Sequence, residues 1–152
     1  MSATERLREL GLTLPEVAKP LAAYVPAIRV GDQIWTSGQL PLVDGTVRLT
    51  GKLGAGVSLA QGTEAARICL LNALAAVAHL AGGLDRITRI LRLSVFVASD
   101  PGFTDQPKVG NGASELVGEI FGEAGAHVRS AIGVAVLPLN AAVELELTAE
   151  VE

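Results

Sequence analysis

The stretch VELELTAEV near the C-terminus constrains this chain most. Val143, Leu145, Leu147, Ala149 and Val151 alternate strictly with Glu144, Glu146, Thr148 and Glu150. Successive side chains of a strand point to opposite faces, so the pattern predicts a strand with one face on a core and one face polar. A second alternating segment, Arg129–Val136, places Ser130, Ile132, Val134 and Val136 on one face. Arg129, Ala131, Gly133 and Ala135 lie on the other. A third candidate strand, Ile87–Ala98, alternates Leu91, Leu93, Val95 and Val97 with Arg92, Ser94 and Phe96.

Helical periodicity is clearest after Ser58. That serine is a candidate N-cap, and Gln61 three residues later completes a capping-box pattern. Ala66, Leu70, Ala73, Leu74, Val77 and Leu80 or Ala81 then share one face until Gly82 and Gly83 stop the helix. Cys69 reads as a small buried apolar residue and His79 as a helix-surface or capping residue. A second helix is predicted from Thr104 or Pro107 to Phe121. Near the N-terminus, Val25–Val30, a turn at Gly31 and Asp32, and Gln33–Ser37 read as a hairpin. A short strand is expected near Val47–Leu49. Residues 1–11 form a short amphipathic stretch, and Pro15 and Pro20 punctuate an extended leader. The order β-β-(β)-α-β-α-β-β predicts an α+β domain, one mixed sheet with two helices on one face. The expected extent is one domain over 1–152, with 1–17 as an extension. The other sheet face then needs solvent or a partner chain, and Ala131, Gly133 and Ala135 are expected to make part of that bare face flat.

Composition points the same way. Of 152 residues, 49% are hydrophobic and only 18% charged, against about 25% charged in an ordinary soluble domain. A core of this chain length needs less apolar surface than that, and an interface between subunits accounts for the excess. A net charge of −4 with 12 Lys and Arg leaves no footprint for nucleic acid. One cysteine excludes an internal disulfide. One cysteine and two histidines cannot make a four-ligand structural Cys/His zinc site in one chain. The first ten residues lack an apolar signal segment. The run Leu70–Leu84 falls short of the ~20 residues that span a bilayer. The expectation is a soluble cytoplasmic protein without a membrane partner. GKLGAG, residues 51–56, lacks the GK[ST] of a phosphate loop and reads as a flexible loop.

Among residues able to carry chemistry, Arg129 stands at the lip of the side-chain-poor row Ala131, Gly133 and Ala135. Small residues let a backbone or small ligand approach closely, and a guanidinium there suits a carboxylate. The plain alternative is a surface arginine on an edge strand. Glu144 and Glu146 share a face; if their strand pairs with Arg129–Val136, one of them faces the same cleft and can orient a water. Otherwise they form a solvated face. Ser37 has no GxSxG elbow around it, which excludes a serine-hydrolase triad. Tyr24 either caps a pocket or packs.

Taken together, IWTSGQLPL (Ile34–Leu42), Tyr24 before it, Asn111 in the second helix and RSAIGVAVLPLNAAVELE (Arg129–Glu146) resemble the RidA/YjgF family of imine deaminases over about 22–150. PGFTDQPKVGNGASE and the longer N-terminus resemble its endoribonuclease-like, L-PSP-like branch. The resemblance implies a chorismate-mutase-like fold and a homotrimer with clefts between subunits. It implies hydrolysis of 2-imino or 2-enamino acids to 2-keto acids and ammonia, with no metal and no organic cofactor. By that resemblance Arg129 binds the substrate carboxylate and Glu144 is catalytic. Tyr24, Ser37, Gly38, Asn111 and Ala131 line the cleft. Two positions depart from the family. Ala131 stands where a cysteine is frequent; the backbone carbonyl implied in water contact there is retained. Gly133 stands where an acidic residue is frequent, which is expected to enlarge or neutralise the cleft. The alternatives are a non-catalytic trimeric metabolite-binding or regulatory module, and RNA cleavage, which the acidic charge and missing His–His or His–Lys pair oppose.

Overall fold

A computed structural model describes residues 1–19 and 23–152; Pro20, expected to punctuate the leader, lies outside the described residues. A five-stranded sheet runs in the order β1-β2-β9-β7-β8. Its strands are β1 (Ala27–Val30), β2 (Gln33–Thr36), β7 (Ile87–Ala98), β8 (Val128–Val134) and β9 (Val143–Val151). Two short pairs, β3 (Leu42–Val43) with β4 (Thr46–Val47) and β5 (Lys52–Leu53) with β6 (Gly56–Val57), precede the helix α2 (Leu59–Ala81). Helix α1 (Ala3–Glu9) opens the chain, and α3 (Gln106–Phe121) lies between β7 and β8. Only β7 and β8 pair in parallel within the main sheet, joined through α3. The mixed α+β expectation holds, with α1 as a third helix.

The local signals act as their chemistry requires. The Ser58 hydroxyl accepts from the Gln61 backbone N–H, and the Gln61 side chain accepts from Ser58 N–H. Gly82 closes α2 at φ +91°, a left-handed conformation that costs glycine little. The Ala81 choice for the helix face is right: Leu80 is exposed. His79 is exposed in the last turn and Cys69 is fully buried. Burial pushes the Cys69 thiol well above its ordinary value, with Glu144 adding to the shift. α2 is long and apolar enough to cross a membrane by composition alone, yet most of its apolar window is buried. It packs on β9 and α3.

In β7 the alternation is broken by register shifts between Ile87 and Arg89 and between Ile90 and Arg92. Ile90 is therefore fully buried and Leu91 is not. The expected strand near Val47–Leu49 forms one step earlier, because Leu49 takes φ +60° and leaves extended geometry. GKLGAG is anchored: Leu53 is fully buried and its carbonyl accepts from Asp100 N–H at 2.9 Å. Buried Asn72 donates its amide to the carbonyls of Leu40 and Leu42, at 3.1 and 3.0 Å, and so ties the chain after β2 onto α2. At the N-terminus, Thr4 N–H donates to Asp85 at 2.9 Å and Leu7 is buried.

α2 and α3 cross so closely that Gly112 has no space for a side chain. A Cβ there would overlap the Thr63 backbone carbonyl. Gly112→Ala is expected to destabilise the fold by about 1–3 kcal/mol through overpacking, read as a lower urea midpoint; an unchanged midpoint would refute so tight a crossing.

Candidate functional site

Arg129 lies on edge strand β8 opposite Leu93 of β7, which in turn faces Leu147 of β9. Residues paired across neighbouring strands share a face, so Arg129 belongs to the core-facing row. Its guanidinium reaches over the edge onto α3. Nη1 donates to Asn111 Oδ1 at 2.9 Å and to Ser114 Oγ at 3.1 Å, and Nη2 donates to the Pro107 carbonyl at 3.3 Å. Pro107, Asn111 and Ser114 recur at helical spacing and form one polar stripe. Among the described residues, three of the five N–H groups are thus engaged. The remaining two, on Nε and Nη2, sit on adjacent nitrogens and match the two oxygens of a carboxylate.

The flat row does not belong to the uncovered face, contrary to expectation. α3 lies on it. A Cβ on Gly110 would stand 3.1 Å from Arg129 Nη1 and 3.4 Å from Ala131 Cβ. The close backbone that small residues admit is therefore this helix. Gly133 lines an open pocket with Ser99, Phe103 and Gln106. A Cβ there would come within 2.7 Å of Gln106 Nε2. The Gln106 amide borders the position, donating to the Phe103 carbonyl at 2.8 Å and to Ser99 Oγ at 3.3 Å.

Glu144 does not share a surface with Arg129. β9 pairs with β2 and β7, and β7 separates it from β8. Glu144 faces Phe96, which faces Ile132. This row belongs to the sheet face away from the helices. The two groups thus lie on opposite faces of one sheet. Glu144 instead joins the other predicted residues. It lines a pocket with Tyr24, Pro26, Gly38, Gln39, Leu40, Leu42 and Pro138, and with Ala18 and Lys19 of the leader. A Cβ on Gly38 would overlap the Glu144 carboxylate, so glycine here lets that side chain lie against the loop. Ser37 N–H donates to the Pro26 carbonyl at 2.8 Å, and Ser37 Oγ donates to the Val25 carbonyl, so this serine braces the loop beside Tyr24.

Predicted residues therefore fall into two groups: Arg129, Asn111 and Ala131 at the β8–α3 edge, and Tyr24, Ser37, Gly38 and Glu144 beyond the end of β2. Sequence reasoning missed Ser114, His127, Gln106 and Lys19. The signal for Ser114 was its i+3 spacing from Asn111 on one helix face. Among the described residues, no three His, Cys, Asp or Glu side chains converge on a candidate metal position.

The family model for "YjgF/chorismate_mutase-like, putative endoribonuclease" matches residues 4–151. The chain belongs to the YjgF/chorismate-mutase-like family. It is 45% identical to Protein TCP17 of Trypanosoma cruzi over 145 residues, covering 95% of this chain and 91% of that one. It superposes on a protein "with unknown function" from Agrobacterium tumefaciens with a TM-score of 0.91 at 44% identity, covering 99% and 92% of the two chains. A "putative endoribonuclease" from Shewanella oneidensis gives a TM-score of 0.96 at 40% identity, covering 99% and 100%.

In this YjgF-family chain, half-burial raises the Glu144 carboxyl above the ordinary value of 4.5, and neighbouring Glu146 adds to it. The folded state thus binds this proton more tightly than the unfolded state. The resulting stability is full below pH about 4.5 and is lost as pH rises through the elevated value. Glu144→Gln should raise stability at pH 7, because the amide carries no charge to desolvate. The gain over wild type should vanish toward pH 4 in urea titrations. A gain of equal size at both pH values would contradict the assignment.

Proposed function

We propose that the protein hydrolyses reactive 2-imino and 2-enamino acids to 2-keto acids and ammonia, at a cleft formed between subunits of a homotrimer in the cytoplasm. The observation that carries this reading is the division of the site. A preset guanidinium fork and a half-buried carboxyl group lie on opposite faces of one sheet, so completing the site takes two copies. The uncovered face supports association: Ile28, Val30, Trp35, Val128 and Ile132 stand about half exposed or more on it. They cluster at the two edges of the sheet, β1–β2 and β8, on either side of the polar residues of β9 and β7, and exposed apolar groups of that size favour burial against another chain.

In the proposed reaction, the two free N–H groups of Arg129 hold the substrate carboxylate. Glu144 of a neighbouring copy orients a water against the C=N carbon and takes its proton. The C–O bond forms as the C=N π pair moves to nitrogen. Glu144 returns that proton to nitrogen, giving a carbinolamine, and then carries the hydroxyl proton to the amine; the C–N bond breaks as the oxygen pair forms C=O, and ammonia leaves with a keto acid behind. A carboxyl whose affinity for protons is raised suits both transfers. The imine is already electrophilic, so positioning and electrostatics supply the rate.

The test follows the decay of 2-iminobutanoate generated in situ. Wild type should accelerate it, and Arg129→Ala and Glu144→Ala should each lose at least about 100-fold, within the range that one oriented charged or acid–base group contributes. Mixing the two variants and reassembling them should restore ~25% of wild-type sites, because random assembly pairs one intact Arg129 with one intact Glu144 in a quarter of clefts. No restoration would overturn the shared cleft. Saturable keto-acid binding without imine decay would make the protein a binding module, and RNA cleavage abolished by Arg129→Ala would make it a nuclease.

A further inference from the structure

His127 stands two residues before Arg129, and its ring spans two fixed partners. Nδ1 lies 2.6 Å from the Gly125 carbonyl, and Nε2 lies 2.9 Å from Ser114 Oγ. A carbonyl oxygen only accepts, so Nδ1 must carry a proton. In the neutral ring Nε2 is then an acceptor, and the Ser114 hydroxyl donates to it. The Ser114 oxygen keeps its lone pairs for Arg129 Nη1, which donates at 3.1 Å. Every member has a single consistent role, in the direction Arg129 N–H to Ser114 O–H to His127 Nε2, with His127 Nδ1–H to the Gly125 carbonyl. Bonds aligned head to tail polarise one another. The imidazole makes the serine oxygen a better acceptor, and that oxygen shares Nη1 with Asn111.

We propose that His127, acting through Ser114, is a positioning residue that sets the Arg129 guanidinium for a carboxylate ligand. It touches no substrate. The relay joins three elements: the 3-10 turn Gly122–Gly125, helix α3 and strand β8. Gly125 is itself pinned under α3, where a Cβ would come within 2.8 Å of the Val117 carbonyl. The relay therefore ends on a rigid acceptor. Without it the guanidinium keeps Asn111 on Nη1 and the Pro107 carbonyl on Nη2, and the loss of the third anchor loosens the plane that aligns the Nε and Nη2 pair. Affinity for the carboxylate falls while the proton transfers at Glu144 are untouched. The proposal rests on the reading that Arg129 takes a carboxylate.

The test uses the assembled full-length protein. Nitrogen-15 NMR of the His127 ring should show the Nδ1–H tautomer; the Nε2–H tautomer would overturn the relay, and this readout needs no variant to fold. In steady-state imine hydrolysis and in equilibrium binding of 2-ketobutyrate, His127→Asn keeps a donor at the Nδ1 position and loses the acceptor at Nε2. KM and Kd should rise about tenfold, the scale of one hydrogen bond to a charged group, with kcat within about twofold. Ser114→Ala should match it, and the double variant should be no worse than either single. His127→Gln and Ser114→Thr, which keep an acceptor and a hydroxyl at the same places, should restore most of the affinity. Wild-type affinity in His127→Asn, or additive losses in the double variant, would overturn the proposal. Wild-type 2-ketobutyrate affinity in Arg129→Ala would instead overturn the carboxylate reading, with the tautomer still deciding the relay.

Discussion

A sheet has two faces, and the helices of this chain cover one. α2 and α3 take the row Leu93, Val95, Val97, Leu145 and Leu147, all fully or almost fully buried. The alternation of a strand then sends every neighbouring side chain the other way. Phe96, Trp35, Ile132 and the three glutamates of β9 end on an uncovered face for that reason alone. The apolar excess, the separation of Arg129 from Glu144 and the proposed need for a second copy all follow from this one constraint.

The close approach of α3 shapes the arginine side. Gly110 over Arg129 and Gly112 against Thr63 remove side-chain bulk where the helix meets strand and helix. That approach brings Asn111, Ser114 and the Pro107 carbonyl within hydrogen-bond reach of the guanidinium. A freely rotating surface arginine loses much side-chain entropy on binding a ligand. One held on three acceptors has lost most of it during folding, which is what a preset binding group requires.

Much of the fold was legible because its signals are local. The capping box at Ser58, the left-handed stop at Gly82 and the alternation of β9 act over a few residues. The bulges in β7 and the early end of β4 at Leu49 were not, since they depend on pairing partners and on one backbone angle. Site residues were recognised as a set through their resemblance to a family, but their grouping was not legible. Pairing of β9 with β8 was a reasonable expectation from order along the chain. The parallel crossover through α3 places β7 between them, and that is a decision of long-range topology.

The sequence by itself determined the types of element, the one-sided apolar faces and the residue types available for chemistry. Those depend on periodicity and on short-range backbone preference. Only the tertiary structure decided that the flat row of β8 lies beneath α3, that Gln106 borders the place left by Gly133, and that His127 reaches Arg129 through Ser114. Each joins residues on separate elements at contact distance, and no spacing along a chain specifies which of two strand faces a helix will choose.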